Sequence, residues 1–500
     1  MRSEIDSMGT RPPLPPRPAF LETYALAIVL VLIAVATIRV ALTYSVFSHA
    51  IDEPMQLAGG MEWLDRHTYG IEPHHPPLAR VMTALGPYLI GERSHGHRYI
   101  FPEGYAILFA RGQYERVLTL ARIGILPFLW VASLTVYAWS RRHFSAAVSV
   151  MAVLLFTQLP AILAHAGLAT TDLAVTAFVG ATVYTTLVWL EEPTLRHVLL
   201  AGGCLGLAVL SKFSSLVFIP AALLIMLVWY VVTERPSFGT LCALAVSRLA
   251  LLPLGLAAAS LVVWAGYHFA FGKVHFADLR LPAPELYRGI SEVIEHNRTG
   301  HISYLLGERR ETGWWYFFPV ALAVKTPLPF LFLALGGAVV AARRKTAARW
   351  PLACAVGILL CALPSRINLG TRHILAIYIG LAIVAAVFAV DRLRDWRTNG
   401  AMAGAVAALL LWLIASVGLS HPDYLAYFNA SAGSEPEKIL VDSDLDWLQD
   451  IKRLAKRLRE VGAQEVAFLP PSFGPVERDI ARVFLGNMGF PPVRDLDPLV

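Results

Sequence analysis

Charge is scarce in this chain. Of its 500 residues only 16% are Asp, Glu, Lys or Arg, against roughly 25% in globular proteins, and that shortfall excludes an ordinary soluble enzyme. Cysteine is scarcer still. The four, at 204, 242, 354 and 361, lie in or beside apolar stretches with no paired spacing on a polar loop, so neither a disulfide framework nor a cysteine zinc site is encoded. No nucleotide-binding glycine loop is present. No internal repeat is present either, which argues against an inverted-repeat transporter.

What the chain has in abundance is apolar sequence: 56% of its residues, with a mean hydropathy of +0.57. If a membrane span takes about 20 residues, eleven spans use about 220 and leave about 280 for termini and loops. The apolar runs predict spans at about 20–47, 117–139, 146–164, 173–190, 197–211, 213–233, 249–271, 316–341, 350–364, 373–390 and 400–420. The first is too long for a signal-peptide core and lacks a small-residue cleavage site, so it reads as a retained helix. Residues 1–19, polar and rich in proline, read as a cytoplasmic disordered tail.

The net charge of +6 does not point to nucleic acid, because the cations fall in short runs between apolar segments. Arg141-Arg142, Arg196, Arg235 with Arg248, Arg343-Arg344-Lys345 with Arg349, and Arg392, Arg394 and Arg397 occupy alternate connections, which belong inside by the positive-inside rule. The tail, with Arg2, Arg11 and Arg17, falls on the same side. External loops at about 48–116 and 272–315, and everything after 420, then share the outer face. The expected localisation is multi-pass in the cytoplasmic (inner) membrane, with the N-terminus cytoplasmic and the C-terminus external or periplasmic.

Residues 421–500 carry the one soluble pattern. Lys438-Ile439-Leu440-Val441 reads as a strand, Ser443 and Asp446 as a capping box for a helix through Leu448, Ile451, Leu454, Leu458 and Val461, and Glu465–Leu469 as a second strand. The fold class expected is therefore an all-α polytopic membrane protein of about eleven helices over 20–420, with a small external α/β domain over 421–500.

Candidate chemistry gathers on the outer side. Asp52-Glu53 follows the first span, where the plain alternative is an ordinary polar helix end. In Glu72-Pro73-His74-His75-Pro76-Pro77-Leu78-Ala79-Arg80 the prolines fix a turn that carries cations suited to a phosphate. His74, His75, His95 and His97 match no zinc spacing. Asp172 opens a span and reads first as a helix cap; Lys212 reads first as a residue snorkelling at the interface. Trp314 to Phe318 suit an interfacial belt, but Lys325 lies about nine residues deeper than Tyr316, and an ammonium there needs a partner. Arg366 and Arg372 flank Asn368-Leu369-Gly370.

Taken in order, Asp52-Glu53, His75-Pro76-Pro77-Leu78, Thr171-Asp172, Leu210-Ser211-Lys212, Gly313 to Pro319 with Lys325-Thr326-Pro327, Asn368 to His373, Tyr427-Phe428-Asn429 and Asp442 to Asp450 resemble an integral-membrane glycosyltransferase of family 39. That group includes protein O-mannosyltransferases and aminoarabinose transferases and has the C-type membrane fold. The resemblance implies a polyprenyl- or dolichyl-phosphate-linked sugar donor, an external protein, lipid or glycan acceptor, and inversion at the anomeric carbon. By position it implies Asp52 as the family's catalytic acid, Glu53 as its neighbour and Asp172 as the second site carboxylate, the catalytic set expected here; the cations that the residues themselves offer to a donor phosphate are His75, Arg80, Lys325 and Arg372. Many relatives have Lys where His75 stands. No metal site and no certain cofactor is implied, with a divalent metal left open. The alternatives are the same chemistry on a lipid or cell-envelope polysaccharide and, outside the enzyme class, a lipid or solute transporter or flippase; carboxylates in mid-span would favour the last, and here they lie at the rim.

Orientation is directly testable. Reporter fusions after Arg142, Arg344 and Arg397 should be cytoplasmic, and fusions near residue 290 and after Val500 external; a cytoplasmic C-terminal reporter would overturn the orientation.

Overall fold

The structure, a computed structural model, describes residues 20–343, 346–468, 485–486, 490 and 493–495. The expected tail at 1–19 lies outside the described residues. Each of the apolar runs expected to span is helical over most of its length, the first ending at Ala41 and the one expected to reach 271 ending at Gly266. Among the described residues, five helical stretches are long and apolar enough to cross a membrane, or eight when each bent pair is taken as one span. The chain is an integral, multi-pass membrane protein.

Position in the bundle follows from what each helix can bury. In Ser215–Glu234 and Gly400–Leu419 only 22% of the apolar window is buried inside the protein, against 72% in Asp172–Glu191. The first two therefore turn Leu224, Leu227 and Leu411 outward, where lipid covers them. Asp172–Glu191 and Ile377–Arg394 form the centre: the former packs on Leu195–Ser211 and Leu126–His143, the latter on Leu328–Arg343, Ala146–Thr157 and Arg349–Ala362.

Two bends are written in prolines. Phe317–Lys325 and Leu328–Arg343 meet at 118°, and Ala146–Thr157 and Pro160–Ala166 at 67°. A residue before proline is driven out of helical conformation, and Thr326 (φ −95°, ψ 134°) and Leu159 (φ −85°, ψ 119°) are extended, each followed by proline. The sharper corner turns the chain at Lys325.

The long connections are ordered. The first holds the helices Glu53–Met61, Pro77–Leu89 and Ile100–Phe109. The second holds an antiparallel hairpin (Phe271–Lys273 with Arg280–Pro282), the helix Pro284–Thr299 and a second hairpin (Ser303–Leu305 with Glu308–Arg310). They meet each other at His74 and His296 (3.3 Å), and the tail through Ser48 N–H to the Gln449 carbonyl (2.9 Å) and Leu306 N–H to the Ile439 carbonyl (3.0 Å). All three gather on one face.

The tail departs from expectation in two places. Lys438–Val441 is not a strand; short 3-10 turns at Pro436–Lys438 and Asp442–Asp444 flank it, because Pro436 has no N–H to give a ladder and Asp442 sits at φ 58°. The helix begins at Ile451, not at Ser443. The Ser443 hydroxyl is spent on the Leu369 carbonyl and the Asp446 carboxylate on Leu448 N–H, so neither caps it. The later strand is present as Val466–Phe468, paired in parallel with Val493–Asp495.

Gly337 permits the closest contact between Leu328–Arg343 and Ile377–Arg394, since a Cβ there would lie 2.2 Å from the Val384 carbonyl oxygen. Gly337→Val should cost about 1–3 kcal/mol by overpacking and lower the unfolding temperature in detergent. Gly404→Ala, in a helix position with nothing within 4 Å, should leave that temperature unchanged or higher.

Candidate active site

The turn that leaves the first membrane helix is pinned before it reaches Asp52: Ser48 donates to the Gln449 carbonyl and Ile51 N–H to that of Trp447 (3.1 Å). The Asp52 carboxylate, 20% exposed, then meets Arg372 Nη1 at 3.0 Å. The same nitrogen stands 3.8 Å from Asp172 Oδ2, and Asp172 Oδ1 accepts from Lys212 Nζ at 2.6 Å. Charges from four distant parts of the chain thus form one alternating row, Asp52, Arg372, Asp172, Lys212. The Arg372 guanidinium lies over the Trp447 ring at 4.1 Å, a face that attracts a cation.

This row is buried but not saturated. Asp172 Oδ2, Arg372 Nε and, on the Pro160–Ala166 helix and the turn before Asp172, His165 Nδ1 and Thr170 Oγ1 have no hydrogen-bond partner. Buried polar atoms are nearly always paired, by ordered water or a ligand where protein groups do not reach, so the atoms left open along this ion row have room for a polar partner. Asp442 adds a further carboxyl near Arg372 and Asp52. Burial is the largest influence on it and pushes it above the usual carboxylate value, with Arg372 opposing.

The other expected site residues are spent on the protein. Glu53, 2% exposed, does not stand beside Asp52 at the row. It takes both arms of Arg122 (2.9 and 2.8 Å) and the N–H groups of Ala50 (2.7 Å) and Ala169 (2.8 Å). Arg80, fully buried, directs its donors to Gln56, the Tyr69 hydroxyl, the Glu72 carbonyl and the Glu72 carboxylate. Lys325, 4% exposed, does find a partner at depth, but it is backbone: the Leu425 carbonyl (2.8 Å) and that of Asp444, with the Phe428 ring at 4.1 Å. Burial, then the cations Arg80 and Lys212, hold the His75 imidazole well below its ordinary value.

For two residues the plain local reading does not hold. Lys212 is not a snorkelling end; its ammonium turns inward to Asp172. Asp172 is not a cap, for Thr171 holds the cap position and the Asp172 side chain caps nothing. Trp447 and Asp442 complete the surroundings of Arg372, and the only sequence sign of either was the aspartate-rich run that contains them. Arg366 lies apart, donating to the Arg298 carbonyl. Among the described residues one group could hold a metal ion: Glu72, His74 and Glu292, with ligand atoms within 4.8 Å of one another. Burial lowers the imidazole of His74, as it does that of neighbouring His296, which suits neutral ligands.

This fold is shared with membrane glycosyltransferases. ArnT from Cupriavidus metallidurans bound to undecaprenyl phosphate aligns over 95% of this chain and 87% of its own at a TM-score of 0.53 and 14% identity. Its apo state aligns similarly, over 95% and 86%, at 0.53 and 13%. The Archaeoglobus fulgidus oligosaccharyltransferase in the apo form aligns over 89% of this chain and 59% of its own, at 0.51 and 14%. The chain is thus a polytopic membrane protein with the C-type glycosyltransferase fold. The family described as dolichyl-phosphate-mannose-protein mannosyltransferase matches residues 118–262, a stretch that contains Asp172 and Lys212, in agreement with the family 39 resemblance carried by the motifs. No curated protein matches.

The Glu53 and Asp52 assignments separate in stability. Glu53→Gln leaves the buried Arg122 guanidinium uncompensated and should cost about 3–5 kcal/mol, seen as a lower unfolding temperature. Asp52→Asn, at a partly exposed pair, should stay near the wild-type value; the reverse order would exchange their roles.

Proposed function

We propose that this protein transfers a sugar from a polyprenyl-phosphate carrier to an acceptor hydroxyl on the loop-bearing, external face of the membrane, with inversion at the anomeric carbon. The observation that carries the reading is the unsaturated row Asp52–Arg372–Asp172–Lys212 at the end of the membrane helices. That ArnT, of the same fold, is described with undecaprenyl phosphate supports a lipid-phosphate donor.

Each residue has a distinct task. The acceptor oxygen attacks the anomeric carbon as the bond from that carbon to the phosphate oxygen breaks; the hydroxyl proton passes to Asp52, and negative charge grows on the departing lipid phosphate. Asp52 is the base because it is the most exposed carboxylate of the row. Arg372 and Lys212 are the cations that meet the phosphate. Asp172 holds Lys212 and balances Arg372. Glu53, Arg80 and Lys325 support the site and do not touch the donor.

The acceptor hydroxyl belongs to protein on the mannosyltransferase-like reading, and to a lipid or envelope polysaccharide on the other. Mass spectrometry of lipid-phosphate sugars and envelope glycans with and without the protein distinguishes them, since a lost glycan and an accumulated donor name both substrates.

Asp52→Asn keeps shape but cannot accept a proton, and should lower turnover by about 10²–10⁴ with donor KM nearly unchanged. Arg372→Ala should instead weaken use of subsaturating donor by roughly ten- to a hundredfold, a charge-assisted contact of about 1.5–3 kcal/mol. A folded Asp52→Asn protein with native turnover would remove Asp52 from the mechanism.

A further inference from the structure

The two long external connections touch backbone to backbone. A Cβ at Gly289, in the helix Pro284–Thr299, would lie 2.2 Å from the Pro73 carbonyl oxygen, so only a glycine lets the helix rest on the turn Glu72-Pro73-His74. That contact sets two short runs of metal-ligating residues opposite each other, runs that are more than 200 positions apart in sequence. Glu292 and His296 stand four residues apart on the helix, and therefore on one face of it. Glu72 and His74 stand across from them on the turn.

The distances suit a shared ion. Ligand atoms of Glu72, His74 and Glu292 lie within 4.8 Å of one another, and His296 Nδ1 lies 3.3 Å from His74 Nε2. A tetrahedral zinc ion with bonds of about 2.0–2.1 Å holds its ligand atoms about 3.3 Å apart, the separation these two imidazoles have. The other His296 nitrogen, Nε2, meets His301 Nδ1 at 3.1 Å, the kind of partner that orients a ligating ring. Each carboxylate also meets an arginine, Glu72 Oε2 with Arg80 and Glu292 Oε1 with Arg288 (2.8 Å). Neither is used up by this, since a carboxylate offers about four lone-pair sites and ligating carboxylates are themselves commonly hydrogen-bonded. Glu292 Oε2 accepts no hydrogen bond among the described residues. All four side chains are half-buried, so an ion can reach them from water. Two imidazoles among the ligands favour zinc over the hard cations magnesium and calcium.

We propose that Glu72, His74, Glu292 and His296 bind a zinc ion, which clips the helix Pro284–Thr299 to the turn before Pro76-Pro77 and so joins the two external connections. The site is distinct from the row at Asp52, and the proposal does not depend on the sugar-transfer reading, because its test reads metal binding alone.

Untagged full-length protein in detergent is stripped with a chelator and titrated calorimetrically with zinc, magnesium or calcium chloride. The same is done with the double variant His74→Ala/His296→Ala and with Glu292→Gln. The expected result is one zinc ion per chain, an unfolding temperature raised by zinc, and affinity lowered at least about tenfold in each variant. Without zinc, the variants should unfold close to the stripped wild type, which checks their folding. Should the histidine variant fail to fold, zinc-edge X-ray absorption of the wild type decides: nitrogen and oxygen at about 2.0 Å with imidazole scattering is expected, and ligation without imidazole overturns the proposal. No saturable zinc binding, undiminished zinc affinity in the folded variants, or magnesium or calcium bound as tightly as zinc likewise overturns it.

Discussion

Glu53 contributes nothing visible at the candidate site, yet its carboxylate sets the position of both site carboxylates. Its four hydrogen bonds reach Arg122, the backbone of Ala50 two residues before Asp52, and the backbone of Ala169 three residues before Asp172. A buried carboxylate must be paired or protonated, and here the bidentate guanidinium meets the charge while two amides take up the remaining lone pairs. The turn after the first membrane helix and the turn before Asp172–Glu191 are therefore held to one point. Were the pair absent, Asp52 and Asp172 would sit on two independent loops, and Arg372 could not be counted on to lie between them.

With that geometry fixed, the ion row behaves as a poised set. Two acids and two bases cancel, so the row tolerates burial without a ligand. On the proposed reading a donor phosphate brings negative charge that competes with Asp52 for Arg372. As the guanidinium turns to the phosphate, Asp52 loses its partner and is free to meet an incoming hydroxyl. The Trp447 ring holds the guanidinium in place from the other side, limiting how far it moves. Donor binding and base activation would then be one event, so the base is held on Arg372 until a donor arrives.

What the sequence could disclose was local. The apolar runs coincide with helices because a lipid-facing stretch must be apolar along its length, and the bends at Leu159 and Thr326 arise from the prolines after them. Asp52, Asp172 and Arg372 could be singled out as polar groups at the rim, though nothing local indicates that Asp52 and Arg372 meet across 320 positions. Lys325 shows where locality stops. Its depth demanded a partner, and phosphate was a reasonable expectation, but the partners are main-chain carbonyls of the tail, which leave no mark in residue identity. Glu53 and Asp52 differ by one position and opposite surroundings, a distinction that depends on Arg122, Ala50 and Ala169 arriving at one side only. Ile439-Leu440-Val441 has strand composition, and the backbone conformations of Pro436 and Asp442 override it.

The tail after residue 420 is not an appendage to the membrane unit over its first thirty residues. Lys325 donates to the carbonyls of Leu425 and Asp444, the Asp444 carboxylate accepts from Thr371 N–H and hydroxyl, Ser443 donates to Leu369, and Ser48 and Ile51 pair with Gln449 and Trp447. These bonds come from two separate connections of the bundle and from the helix corner at Lys325. They place Asp442 and Trp447 around Arg372, so the stretch 421–450 lies against the candidate site, while the described residues beyond 450 include the helix Ile451–Glu460 and the paired strands Val466–Phe468 and Val493–Asp495. A buried ammonium that binds carbonyls contributes orientation as well as energy, because its donors fix where the backbone must lie. The deep lysine therefore serves the site indirectly: it seats the segment that in turn confines the arginine.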